Sequence, residues 1–277
     1  MRQDAKVAVD EAGEGGLPPL PDGLSNAFLF AIFNALSFQI VLGSPMVLYA
    51  KSLDATATVL GIITGMMPLL VIFQIPAANY IDRVGYKRFV YAGWGARVAV
   101  IFVIALVPLT EAFLNQTTRL ALMLTLLFAF NLSRGISSSA WLPWLTSLVP
   151  APVRGQYLAR EAAFVNCGSF LTLALSAFCL GREPASGRFA VDFAFSACMG
   201  AISLSFLKRI PDVPIAEPAK RSRTPVPFLE MARYRPFRKL LWAVLGWSVA
   251  YGGMTTFTVA FLKVQTHWAD SEILLVA

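Results

Sequence analysis

Charge is scarce in this chain and histidine almost absent. Only 14% of the 277 residues are Asp, Glu, Lys or Arg, and His267 is the sole histidine. A soluble domain of this length needs a charged outer face, which so few ionisable side chains cannot furnish. Metal centres and histidine-based acid–base catalysis need clusters of imidazoles or thiols at set spacings. One histidine and three cysteines supply no such cluster, and no HExxH, CxxC, P-loop or Gly-x-Ser-x-Gly occurs. These absences argue against an enzyme, and no catalytic residue, metal ligand or cofactor is assigned. Cys167, Cys179 and Cys198 fall in apolar stretches, where buried inert thiols are expected and a structural disulfide is not. The first 24 residues lack a basic n-region and a small-residue cleavage site, so they do not read as a signal peptide.

What the chain has instead is length of apolar sequence. Hydrophobic residues make up 57% of it, and they gather in seven runs at 26–50, 57–80, 89–110, 120–147, 161–181, 189–207 and 239–262. Runs of about 20 residues are long enough, as helices, to cross the ~30 Å hydrocarbon core of a bilayer. None shows the polar stripe of a soluble amphipathic helix. The expectation is an all-α membrane protein. Another apolar run opens at "SEILLVA", where the sequence stops. Residues 1–24, polar and rich in Gly and Pro, are expected to form a disordered tail.

Lys and Arg divide unevenly between the two sides of such a bundle. Sixteen fall in the tail, the 80–88 turn, the turn near 154–160 and the 208–239 stretch; five (Lys51, Arg119, Arg182, Arg188, Lys263) fall on the other side. Basic loops stay in the cytoplasm, so the N-terminus is expected inside. The net charge of +7 then reflects topology and anionic headgroups, and no nucleic-acid partner is invoked. The stretch after the sixth run holds prolines 211, 214, 218, 225, 227 and 236. Proline bars a regular helix, which makes 208–238 a cytoplasmic linker. The expected organisation is a tail at 1–24, a six-span bundle at 25–207, the linker at 208–238, and at 239–277 one further span with a fragment beyond it.

Between the second and third runs lies "YIDRVGYKRFVYAGWGAR", with Asp82, Arg83, Lys87 and Arg88 crowded into seven positions. With the six spans, long linker and further span, this turn resembles the signature of the major facilitator superfamily of transporters. Asp82, Arg83, Gly85, Lys87 and Arg88 match that motif; Ala78 replaces its leading glycine and Tyr86 stands where a basic residue is usual. Arg134–Gly135 and "VPAPVRGQYLARE" are similar to the family's fourth-to-fifth-span region. The resemblance covers about 25–277, and a usual member has twelve spans. It implies that the turn's aspartate and arginines hold the inner side shut and release it when the bundles rock. A pure topological anchor would need the cations but not Asp82. Gly85 is expected to permit a tight turn at positive φ, and Asp82 to accept from helix-terminal amides.

Polar residues inside the runs are the remaining clue. Asn131, Arg134 and Ser138 share one stripe of the fourth run; Arg97 follows Trp94 in the third; Asn34, Ser37 and Gln39 precede Pro45 in the first. A buried arginine costs about 2.5–3.5 kcal/mol on insertion scales and should face a cavity or a partner. Asn34, Gln39, Arg97, Asn131, Arg134 and Ser138 are therefore the candidate cavity residues, with cations in excess. The plainer alternatives are that Arg97 snorkels to the inner face and that Arg134 bonds carbonyls or Glu161. "GIITG" (Gly61, Gly65) has a spacing suited to close helix packing.

The sequence thus points to a secondary or facilitative transporter of a small polar or anionic solute, seated in the cell membrane among lipid. The resemblance leaves room for a coupling ion, proton or sodium. The alternative is a truncated membrane protein that acts as a partner or scaffold, or has no function.

Overall fold

Each apolar run folds as helix; Gly43, Gly85, Pro150 and Gly181 stand at breaks, while the breaks at 53–56 and 113–115 hold neither glycine nor proline. The structure is a computed structural model that describes residues 23–182, 184–214, 230, 233–265 and 268–276. Most of the expected tail, positions 215–229, 231 and 232 of the expected linker, and His267 lie outside the described residues. Within them there is no strand.

Helices α1 (Ser25–Leu42) and α2 (Ser44–Ser52) make the first span. The second is α3 (Ala57–Leu70), a 3-10 turn (Val71–Phe73) and α4 (Gln74–Val84). Then come α5 (Tyr86–Leu106) with a 3-10 turn (Val107–Ala112), α6 (Gln116–Leu148), α7 (Ala151–Leu180) and α8 (Ser186–Leu207). These six units are long and apolar enough to cross a bilayer. Helix α9 (Arg235–Val264) covers the seventh predicted run, and α10 (Asp270–Val276) the closing one. Among the described residues α9 is not one of those six.

Two predicted boundaries shift for identifiable reasons. The first span is broken, because Gly43 is extended (φ −104°, ψ −161°) and Pro45 opens α2. A Cβ at Gly43 would lie 2.3 Å from the Gln39 carbonyl oxygen, so only glycine fits that bend. The fifth helix starts ten residues before its predicted edge at 161, at Ala151 with Pro152 in its first turn. Arg154, Arg160 and Glu161 end an apolar run without ending a helix.

In packing, α1 lies against α7 and α8, α5 against α6 and α8, and the second span against α6. The buried apolar residues fall into two clusters. One gathers Ile40, Tyr49, Leu60, Ile101, Phe130, Leu180 and Phe193 at the end that carries the α7–α8 turn. The other gathers Phe30, Ile81, Trp94, Ala140, Trp144, Tyr157 and Leu207 at the end that carries the α4–α5 turn. At this second end the Trp144 indole N–H donates to the Pro211 carbonyl at 3.2 Å, pinning the start of the stretch after α8.

Close helix approach occurs elsewhere than predicted. A Cβ at Gly61 or Gly65 would meet nothing within 4 Å, whereas one at Gly135 would lie 2.2 Å from the Leu70 carbonyl oxygen and one at Gly93 2.1 Å from Ser137 Cβ. The spacing of Gly61 and Gly65 suits packing, but a Cβ at either position would have open space around it. The cysteines also depart from expectation: Cys167 and Cys198 are exposed, and Cys179 is half-buried. All three are free thiols.

Candidate functional site

The α4–α5 turn is as short as two helices allow. Gly85 alone separates Val84 from Tyr86, with φ +88° and ψ 151°. That region of backbone space is essentially closed to residues with a Cβ, and forcing one there costs about 1–3 kcal/mol. The Gly85 N–H donates to the Ile81 carbonyl at 2.8 Å, and its own carbonyl accepts from Phe89 N–H at 3.1 Å. Asp82, Arg83 and Arg88 are exposed here and Lys87 is half-buried. The N-cap of α5 is Gly85, with no side-chain acceptor. Among the described residues Asp82 enters no ion pair.

Between the two apolar clusters the bundle changes character. On α1, α5 and α6 the side chains separating one cluster from the other include Asn34, Arg97, Asn131, Arg134 and Ser138. The Trp94 indole N–H donates to Asn34 Oδ1 at 3.1 Å, tying α5 to α1. One turn on, Arg97 is only 5% exposed, its guanidinium 4.7 Å from the Trp94 ring centroid and 5.0 Å from that of Phe130. It points into the bundle and does not snorkel. Its Nε has no hydrogen-bond partner. Arg134, one turn beyond Phe130, is half-buried.

The rest of this layer is amides and hydroxyls. Ser138 Oγ donates to the Arg134 carbonyl at 2.8 Å and accepts from Gln74 Nε2 at 2.7 Å, joining α4 to α6. Asn131 is buried; its Nδ2 donates to the Leu127 carbonyl at 3.0 Å and its Oδ1 has no partner. Gln39 stands apart, its amide over Gly43 at the end of α1. Of the six predicted cavity residues the structure groups five and leaves Gln39 at the bend. Phe130 and Gln74 join the layer without having been predicted. Gln74 could have been found, as an amide inside the apolar "VIFQIPAANY"; Phe130 carried no signal among 21 phenylalanines.

Among the described residues neither Arg97 nor Arg134 is in an ion pair, with Glu161 or any other carboxylate. Stripping a guanidinium of water costs several kcal/mol. Stacking on rings returns about 0.5–2 kcal/mol. The rings therefore hold Arg97 in place without neutralising it.

Other buried polar groups lie towards the opposite end. Asp192, 3% exposed, accepts from Ser176 Oγ at 2.9 Å, between α8 and α7. Tyr49 packs on Phe189 and Phe193 with Arg119 facing its hydroxyl. On the same side α10 docks on the α7–α8 turn: Ser271 N–H donates to the Gly181 carbonyl at 2.9 Å, and Arg182 pairs with Glu272 at 3.7 Å. Lys263 pairs with Asp270, whose carboxyl is pushed up by burial while the lysine opposes that shift.

Compared with known families, residues 27–277 match the sequence model of the Major Facilitator Superfamily. Neither curated proteins nor solved structures give a match.

Proposed function

This chain belongs to the major facilitator superfamily, a family of membrane transporters, and on that footing we propose that it carries a small anionic solute by alternating access. The observation that supports an anion is the buried Arg97 with the half-buried Arg134 on the neighbouring helix, with no carboxylate on either among the described residues. The solute is taken between the six-span bundle (25–207) and the helices after the linker (208–238), close to the layer of Asn34, Arg97, Asn131 and Arg134. The α4–α5 turn, through Asp82, Arg83, Lys87 and Arg88, closes the inner side. The N-terminus is cytoplasmic and the host membrane is the cell membrane.

Substitution at Arg134 tests the reading in the protein as its host makes it, reconstituted in liposomes. Arg134→Ala is expected to abolish uptake of anions with membrane yield and melting temperature unchanged. Arg134→Lys restores uptake partly if charge alone matters and poorly if bidentate geometry does. Lowered stability with normal uptake would retire the cavity role.

A further inference from the structure

The helices after the linker enter the core at one end of the six-span bundle. Among the described residues beyond position 214, the buried ones are Val259, Asp270, Ile273 and Leu274. The three apolar ones join the cluster of Tyr49, Leu60 and Leu180. Here α9 lies against α2 and α3, and α10 against α7 and α2. Nearer the start of α9, Leu241, Trp242, Trp247 and Val249 are exposed. On the reading proposed above, this is the end that opens to the outside.

Two ion pairs stand here, and they differ in what it takes to break them. Lys263 of α9 pairs with Asp270 of α10, the lysine side chain 33% exposed and the aspartate 3%. Separating them would strand a buried charge away from water. Between α10 and the bundle, Arg182 and Glu272 stand 3.7 Å apart with side chains 84% and 49% exposed. Water screens such a pair, and it parts at little cost. Beside it the Ser271 N–H donates to the Gly181 carbonyl at 2.9 Å. Glu272 is held from its own side as well, since its Oε2 accepts from the Ala269 N–H at 3.1 Å.

We propose that α9 and α10 form a preassembled latch over this end. The Lys263–Asp270 pair keeps the two helices together through the transport cycle, while Arg182–Glu272 and Ser271–Gly181 part each time the end opens. The proposal rests on alternating access and adds which contacts move and which do not.

The test uses the protein as its host makes it, in intact cells. Cys167, Cys179 and Cys198 are replaced by serine and His267 by asparagine. Ser138→Cys then places a reporter thiol in the polar layer, read by an impermeant maleimide added outside. With Arg182→His and Glu272→His, nickel bridging the two imidazoles is expected to slow labelling about tenfold or more. EDTA should restore the rate, which separates closure from misfolding. With Lys263→His and Asp270→His, nickel is expected to leave the rate unchanged. Arg182→Glu sets two carboxylates face to face and should speed labelling, and adding Glu272→Arg should return the original rate. An unchanged rate in both the bridged 182–272 protein and the Arg182→Glu protein overturns the latch. Slowing by the 263–270 bridge overturns the division between fixed and moving contacts. A reporter that never reacts in the unbridged protein retires alternating access, and the latch with it.

Discussion

At the scale of single residues, what matters is whether a neighbour stands where a side chain would go. Gly135→Ala drives a methyl group to within 2.2 Å of the Leu70 carbonyl oxygen. Backbone cannot step aside as a flexible side chain can, so a loss of about 1–3 kcal/mol is expected. Gly61→Ala meets open space and should cost nothing, alanine being the better helix former. Melting of the two variants in detergent checks the contrast; equal losses would mean that the close approach of α3 to α6 is not real. From sequence alone the ranking would have been reversed. Gly61 and Gly65 carry the packing spacing, while Gly135 is one glycine beside an arginine. Local spacing reports which contact a helix could make, and only the arrival of a neighbour decides which it does. The arginines were legible for the opposite reason: a charge in an apolar run is costly whatever surrounds it, so Arg97 and Arg134 announced themselves. Their setting did not, since ring faces leave no trace in a chain with this many aromatics.

At the scale of elements, the α4–α5 turn is the part most exposed to test. Asp82→Asn keeps shape and removes one acceptor charge at a surface position. If the turn closes the inner side by ion pairing, the variant should insert normally but alternate less completely between states. Accessibility of inward- and outward-facing cysteine probes reads this; unchanged labelling and unchanged rates would leave the turn a topological anchor. Element identity was well marked in the sequence, because a run of about 20 apolar residues in a bilayer has no alternative to helix. Element ends were not. α7 reaches back to Ala151 because Arg154 and Arg160 suit a helix leaving the membrane as well as they suit a loop. The break at Gly43 escaped notice because a hydropathy window averages across it.

At the scale of the whole molecule, the two apolar clusters with a polar layer between them give the bundle two apolar ends and a polar middle. Crossing by crossing, the α4–α5 and α6–α7 turns share one face with the start of α9, and the α5–α6 and α7–α8 turns share the other with α10. On the reading proposed above, the sixteen-to-five division of basic residues is expected to set the first face inside the cell. Single cysteines at Arg88 and Arg154 should therefore resist an impermeant maleimide in intact cells, and one at Arg182, on the opposite face, should react. Reaction at Arg88 from outside would invert the topology and with it the assignment of the inner gate.

The bend at Gly43 also has a bearing on how the protein is made. Insertion machinery meets Ser25–Ser52 as one apolar segment of 28 residues. Apolar helices enter the bilayer individually and associate afterwards. A helix alone in hydrocarbon keeps every backbone hydrogen bond it can make, since no water replaces one that is lost. Nothing near the ribosome's exit rewards the bend: Tyr49 of α2 rests on Phe189 and Phe193 of α8, and α2 also touches α9 and α10, all synthesised later. Pro45 interrupts the helix from the outset, but α2 reaches its packed place only once α8, α9 and α10 have arrived.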